Sequence, residues 1–412
     1  MNQSLQPLFT ASSKVRKVRA PSLDNILAED PVPHYEYNQA FESAPNEPFL
    51  HLHTSGSSGN PKPIRGNKKY LASFDTAKLL PQDQGRSLTI EFLEHQNTLV
   101  LLPCFHVSLP SSPSLNPRLT SSKAGGLVFN MFPAFYEMVL VLGHPDVPMS
   151  VDYVSQLLKL GVITSMLTPP SILEELSKDL LAVENLTQVK HIGYAGGPLQ
   201  PKIGNDLAAI VPHLFSFIGA TEYGWFHLIS GENDKWDSLN FYDNIGYRFD
   251  EVSEGNFELV IVSDIQKNKY HGIFEIFPGL KEYRTRDLYS AKPGAPGWWT
   301  YRGRADDLIV LSNGEKINPI PIENIIRSHL AVKAALVVGE YRFNPLLLVE
   351  PQDDRVPQTD SDFHEILNEI WPTVQEANKI APGFAKIPKS LILFVKPGKP
   401  FSRAEREQFN VK

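Results

Sequence analysis

Residues 54–62 read T-S-G-S-S-G-N-P-K, and this stretch says most about the fold. Small side chains let the backbone turn tightly, so that its N–H groups can point inward at phosphate oxygens. The predicted phosphate-binding residues of this segment are Thr54, Ser55, Gly56, Ser57, Ser58 and Gly59. Lys62 adds a positive charge suited to a polyphosphate. A flexible linker is the alternative. We disfavour it because the segment follows an apolar run, 48–53, and ends in Pro-Lys-Pro.

The composition is that of an ordinary globular protein. Of 412 residues, 42% are apolar and 21% charged, and 39 basic against 46 acidic side chains give a net charge of −7, which argues against nucleic-acid binding. Cys104 is the only cysteine, which excludes an intramolecular disulfide and favours a reducing, cytoplasmic location. The most apolar stretch, 126–143, contains Asn130 and Glu137, so it predicts a buried helix and no membrane span.

Helical and strand-like patterns alternate along the middle of the chain. Residues 151–160 and 171–181 have helical patterns, and 162–167 is typical of a strand, which predicts an α/β layered fold with parallel strands. After residue 231, short aromatic or β-branched runs predict a β-rich subdomain, at 257–262, 273–277 and 298–301. Later apolar runs indicate a further α+β unit, at 335–338, 345–349 and 391–395.

Further motifs follow the glycine-rich segment in a fixed order. They are L-P-C-F-H at 102–106, G-Y-A-G-G-P-L at 193–199, G-A-T-E-Y-G at 219–224, Y-R-T-R-D at 283–287, and Y-R-G-R-A-D-D at 301–307 followed by N-G-E-K-I-N-P at 313–319. Together they resemble the motifs of the adenylate-forming superfamily, which includes acyl-CoA synthetases and peptide-synthetase adenylation domains. The wording of 299–319 resembles fungal synthetase-like carboxylic acid reductases most. The resemblance runs over about 21–404.

The resemblance implies a division of the chain into three parts. Residues 1–45 would be a polar leader, 46–305 a partial main adenylation domain with a β-rich subdomain at about 233–305, and 306–412 an incomplete, mobile C-terminal domain. Family members carry a large α/β block before the glycine-rich segment. We therefore expect a truncated N-terminal domain whose apolar surface is open to a partner.

The resemblance also implies a role for each motif residue. Lys62, Thr221 and Glu222 would be catalytic, with Glu222 holding Mg²⁺. Asp287 would bind the ribose, Arg304 the ribose or phosphates, and Asp306 would be the hinge. The remaining nucleotide contacts would come from the glycine-rich segment and from Gly196, Gly197 and Ala220. Taken alone, these acids and Arg304 would instead be interpreted as solvated surface charges.

The implied reaction is ATP- and Mg²⁺-dependent activation of a small-molecule carboxylic acid as its acyl-adenylate, in secondary metabolism. Phe105, His106 and Tyr194 would line the acid pocket. Amino-acid-activating relatives place an Asp there, whereas this segment has His106 and no acid, so we expect an aryl or aliphatic acid without an α-amino group. His106 could also merely pack against the pocket wall. No carrier domain follows, so the phosphopantetheine thiol would come from another protein in trans or from CoA.

Residues 405–412 read E-R-E-Q-F-N-V-K, where the last signature of the family would read G-K-G-T-V-Q-R-K. In the family, the first lysine of that signature contacts the carboxylate and the α-phosphate. One valid coding of the signature, read after deletion of its first base, yields E-R-E-Q-F-N-V-K, so we interpret the tail as an out-of-frame reading; a charged helix end is the alternative. We therefore expect weak or absent adenylation. An inactive remnant that binds nucleotide and a non-enzymatic interaction module remain open.

Overall fold

The structure is a computed structural model. The residues that it describes are 36, 38, 40–55, 61–81, 85–102, 131–143, 147, 150–313, 315–395, 401–403 and 409–410. Three predictions lie outside these ranges: the turn of the glycine-rich segment at 56–60, the pocket residues Phe105 and His106, and most of the polar leader.

An antiparallel hairpin flanks the glycine-rich segment. Strand β1 (Pro48–Ser55) pairs with β2 (Pro61–Asn67), and helix α1 (Lys68–Ala72) follows directly. Asn67 begins the helix because its side-chain oxygen accepts the N–H of Tyr70 at 2.8 Å.

A parallel five-stranded sheet forms the centre of the main body. Its order is β4-β3-β5-β6-β7, and its strands are β3 (Asn97–Val100), β4 (Val139–Val141), β5 (Ser165–Thr168), β6 (His191–Tyr194) and β7 (His213–Ser216). The accompanying helices are α2 (Phe132–Tyr136), α3 (Val151–Leu158), α4 (Pro170–Leu176), α5 (Leu180–Leu186) and α6 (Pro201–Ala208). The predicted alternation of helix and strand with parallel pairing is confirmed.

The prediction of one buried helix over 126–143 is wrong for its described part. Helix α2 ends before Glu137, which has a left-handed backbone with φ of 50°, and the chain then forms the edge strand β4. Val139 in that strand is 58% exposed. An apolar pattern cannot by itself distinguish a short helix from a short strand.

A larger antiparallel sheet follows along the chain. Strands β8 (Gly219–Ala220) and β9 (Gly224–Trp225) form a small hairpin. The six-stranded sheet has the order β10-β11-β15-β14-β13-β12, with β10 (Leu228–Ile229), β11 (Ser238–Phe241), β12 (Tyr247–Ser253), β13 (Asn256–Val262), β14 (Glu282–Ala291) and β15 (Trp298–Arg304). The β-rich prediction is confirmed by these strands.

The run at 273–277 is not the predicted strand. It forms the short helix α7 (Ile273–Ile276), with the Ile276 N–H donating to the Gly272 carbonyl at 3.2 Å. Four apolar residues fit either structure, and here the buried side chains of Ile273 and Phe274 pack into the main core.

The C-terminal part has its own hydrophobic core, separate from that of the main body. A hairpin of β16 (Ile309–Val310) and β17 (Lys316–Ile317) leads to helix α8 (Pro319–Arg327). The predicted apolar runs are confirmed as a three-stranded sheet of β18 (Val332–Val338), β19 (Leu346–Pro351) and β20 (Ile392–Phe394), beside helix α9 (Asp360–Ile380). Strands β21 (Ser402–Arg403) and β22 (Phe409–Asn410) pair near the end.

Candidate active site

The two ends of the glycine-rich segment lie side by side in the β1–β2 hairpin. Thr54 pairs with Lys62 and Ser55 with Pro61. This register puts the backbones of three predicted phosphate-binding residues at the same end of one hairpin. The positions of their side chains lie outside the described structure.

Thr221, Glu222 and Tyr223 form the turn of the β8–β9 hairpin. A Cβ atom added at Gly219 would lie 2.5 Å from the Gly224 carbonyl oxygen, and Gly224 has φ of 83°, so the motif needs both glycines. The Thr221 carbonyl accepts the hydroxyl of Tyr70 at 2.9 Å. Tyr70 lies three residues after β2 and thus ties the glycine-rich hairpin to this turn. The sequence analysis missed Tyr70 because the contact spans 151 positions.

Asp287 lies in β14, directly opposite Arg304 of β15. Asp287 is 6% exposed. Its Oδ1 lies 3.4 Å from Nη1 of Arg304, and the Tyr223 hydroxyl donates to its Oδ2 at 3.3 Å. Burial, followed by the negative charge of Asp287, raises the pKa of the Tyr223 hydroxyl well above its ordinary value. Tyr223 therefore stays a donor at neutral pH. Tyr223 belongs to the motif G-A-T-E-Y-G, but its contact with Asp287 of β14 is evident only from the three-dimensional structure.

Charges of alternating sign continue from Asp287 to the predicted hinge. Arg304 lies 3.2 Å from Asp306 Oδ2, and Nη1 of Arg286 lies 3.4 Å from the same oxygen. The structure therefore brings Asp287, Arg304 and Asp306 into one chain of ion pairs. Arg286 joins them as a contact that the sequence analysis did not single out.

Gly196 and Gly197 follow the carboxyl end of β6, and the β8 hairpin follows that of β7. Ligands of parallel α/β sheets bind at this end of the strands. Gly196 has φ of 97°, and Ala195 and Ala220 pack against the same core cluster. The two glycine-containing motifs thus lie at neighbouring strand ends.

Comparisons with known proteins agree with this geometry. A family model described as AMP-binding enzyme C-terminal domain matches residues 306–410. A carboxylic acid reductase from Neurospora crassa is 35% identical over 378 residues, which cover 90% of this chain and 34% of that protein. An adenylate-forming reductase from Serpula lacrymans is 29% identical and covers 93% of this chain and 34% of that protein.

A structure of ATP-bound MatB from Rhodopseudomonas palustris has a TM-score of 0.56 and 16% identity, covering 86% of this chain and 65% of that one. The chain belongs to the adenylate-forming superfamily. Its fold is the acyl-CoA synthetase-like fold of that superfamily, with a small C-terminal domain. The chain spans about a third of the length of these two curated relatives.

Of the predicted acid-pocket residues, only Tyr194 lies within the described ranges. Tyr194 is 3% exposed and its hydroxyl donates to the Trp236 carbonyl at 3.1 Å, so its side chain lies in the core among the helices. The geometry does not support the prediction that this side chain lines an open pocket. Successive strand side chains point to opposite faces, and Tyr194 shares the face of buried Ile192.

Glu222 has the chemistry to hold the Mg²⁺ that the resemblance to the superfamily implies. It is half-buried, and its charge is a secondary cause, after burial, of the raised pKa of the Tyr70 and Tyr283 hydroxyls. Among the described residues, no cluster of three or more potential ligands could hold a metal alone. Mg²⁺ commonly binds one or two carboxylates together with phosphates and water, which a single acid at this turn can satisfy.

Within the described ranges, no helix has both the length and the apolar content that a membrane crossing requires.

Proposed function

We propose that this chain activates a carboxylic acid by joining it to the AMP portion of ATP. A carboxylate oxygen forms a bond to the α-phosphorus, the bond from that phosphorus to the bridging oxygen breaks, and pyrophosphate leaves. The main support is the buried Asp287, held by Tyr223 and Arg304, beside the turn that carries Thr221 and Glu222. The names of the two fungal reductases add to it.

The residues would divide the work by their chemistry. Asp287 accepts hydrogen bonds from the ribose hydroxyls, because a buried carboxylate is a strong acceptor. Thr221 donates to a phosphate oxygen, and Lys62 offsets phosphate charge. Glu222 would hold Mg²⁺, which when bound stabilises the charge that develops on the phosphates. The tie from Tyr70 to the Thr221 carbonyl fixes the turn relative to the glycine-rich hairpin.

The acid is proposed to be aryl or aliphatic and to lack an α-amino group. The support is the sequence of 102–106, which offers His106 and no carboxylate to pair with an ammonium. The acceptor is proposed to be a phosphopantetheine thiol, on a carrier protein in trans or on CoA. Its sulfur would attack the acyl carbon and release AMP.

Pyrophosphate exchange into ATP tests the reaction. The full chain is assayed with aryl, aliphatic and α-amino acids. Because residues 405–412 lack the lysine-containing signature, we expect weak exchange at most. This exchange should require an aryl or aliphatic acid, and E222Q should lower it further, by up to about 100-fold, the scale at which one stabilising group in a transition state acts. The matched control is E184Q, which removes the same charge from an exposed position on α5. Exchange confined to α-amino acids would refute the proposed acid class.

A second candidate function is nucleotide binding without turnover. It is favoured by residues 405–412, which differ from the lysine-containing signature of the family. ATP binding by a folded chain that gives no exchange with any acid supports this candidate. Exchange that depends on one acid excludes it.

A further inference from the structure

The register between β13 and β14 is interrupted over residues 285–287, which include Asp287. Glu258 pairs with Leu288 and Val260 pairs with Arg284, so three residues of β14 bulge opposite the single residue Leu259. A bulge of this kind redirects side chains and leaves backbone groups without ladder partners. The hydrogen bonds that these backbone groups make determine how rigidly the side chain of Asp287 is oriented.

Two hydrogen bonds of the bulge come from Thr285. Its hydroxyl donates to the Leu259 carbonyl at 2.8 Å and accepts the N–H of Asp287 at 3.1 Å. Thr285 is 4% exposed, so these bonds are shielded from water. They hold the two ends of the bulge and leave the N–H of Arg286 between them.

Glu258 takes that remaining N–H. Its Oε1 accepts the backbone N–H of Arg286 at 3.1 Å, and the residue is only 6% exposed. Its other oxygen, Oε2, binds Nη1 of Arg284 at 2.5 Å. Arg286 meanwhile has φ of 64°, a conformation that a non-glycine residue adopts at a cost. A buried carboxylate thus stabilises the least favourable backbone position of the segment.

We propose that Glu258 is a positioning residue for the nucleotide site. By holding the N–H of Arg286 it keeps that residue left-handed, and the next residue then presents its carboxylate toward Tyr223 and Arg304. Glu258 touches no nucleotide itself. The inference rests on the proposed function only in taking the ribose to be the partner of Asp287.

The chain offers variants that separate this bond from the neighbouring ion pair. E258L removes both the acceptor and the charge. R284Q removes the ion pair but leaves Glu258 free to accept the N–H of Arg286. If E258L does not fold, E258D replaces it, because one methylene less withdraws the carboxylate from a bond already at 3.1 Å.

Calorimetric titration of the full-length chain with ATP and with 2′,3′-dideoxy-ATP measures the ribose contribution. The wild-type chain should prefer ATP by about tenfold or more, since bonds to a carboxylate are strong. E258L should bring this ratio close to one without weakening the dideoxy nucleotide, whereas R284Q should keep it. A ratio that survives in folded E258L overturns the proposal, as does an equal loss for both nucleotides.

Amide hydrogen exchange tests the role of Glu258 without any nucleotide, so that its outcome can be distinguished from a failure of the proposed function. If the wild-type chain binds no ATP, the proposed function fails. The positioning of the bulge is then tested by the exchange of amides 285–288 in the free protein. Faster exchange in E258L than in R284Q supports the role of Glu258, and equal exchange overturns it.

Discussion

Arg286 shows how much of the site depends on a single backbone conformation. Its φ of 64° places it in the left-handed region, directly before Asp287. Its guanidinium contacts Asp306, and its N–H is held by Glu258. The motif Y-R-T-R-D singled out Asp287 as a candidate site residue, but it gave no sign of this strain, because arginine is not a residue type that favours a left-handed backbone.

Replacing Arg286 by glycine should therefore cost less stability than replacing it by alanine. Glycine adopts the left-handed conformation without a steric cost, so R286G should unfold with a free energy about 1 kcal/mol higher than R286A. Both variants lose the same exposed ion pair, which makes R286A the matched control. Urea unfolding measures the difference. Equal stability of the two variants would show that the conformation carries no strain.

The raised pKa of the Glu323 carboxyl on α8 should make the stability of the protein depend on pH. Burial raises the pKa of its carboxyl to about 7, against the effects of the Val337 N–H and Arg327, while Asp307 adds to the rise. Since the ordinary value is 4.5, the folded chain keeps a proton that the unfolded chain releases between these pH values. The free energy of unfolding should therefore fall as the pH rises from about 4.5 to about 7.

Thermal unfolding of E323Q across this pH range checks the effect. The amide cannot ionise, so E323Q should lose this part of the pH dependence and be more stable than the wild-type chain above pH 7. E365Q is the control, because Glu365 lies exposed on α9. A wild-type slope that persists in E323Q would assign the dependence to other groups.

At the scale of elements, the β8–β9 hairpin depends on its close backbone approach. A methyl group at Gly219 would meet the Gly224 carbonyl, so G219A should cost about 1–3 kcal/mol of stability and displace the turn of Thr221 and Glu222. The melting temperature and the ATP affinity of G219A should both be lower than those of the wild-type chain. G383A should be within about 0.5 kcal/mol of the wild-type chain, because nothing lies within 4 Å of its new methyl group. A melting temperature and an ATP affinity that G219A leaves unchanged would contradict the close approach of Gly219 to the Gly224 carbonyl.

Elements with a clear period were predictable, and short apolar runs were not. Residues 151–158 form a helix and 165–168 a strand much as the pattern indicated. The run at 273–277 fits helix or strand equally well, and its packing in the main core decides for the helix. Tyr194 lies on the same face of the sheet as Ile192, as the two-residue period of a strand already implies from the sequence.

Across the whole molecule, the contacts that join the described motifs did not follow from the order of the motifs along the chain. Tyr70, Tyr223 and Glu258 act on residues 151, 64 and 28 positions away. No local pattern encodes such pairs. The two cores also meet through specific contacts: Ile320 of α8 packs where Gly303 has no side chain, and Arg327 lies 3.8 Å from Glu174 of α4.

We propose that this arrangement forms an ATP site in which Asp287 binds the ribose hydroxyls. Calorimetric titration of the full-length chain with ATP and Mg²⁺ tests it most directly. We expect binding that D287N weakens about tenfold or more, while D206N, which removes the same charge from an exposed position on α6, leaves it unchanged. A folded wild-type chain that binds no ATP, or that binds it equally well as D287N, would contradict the claim.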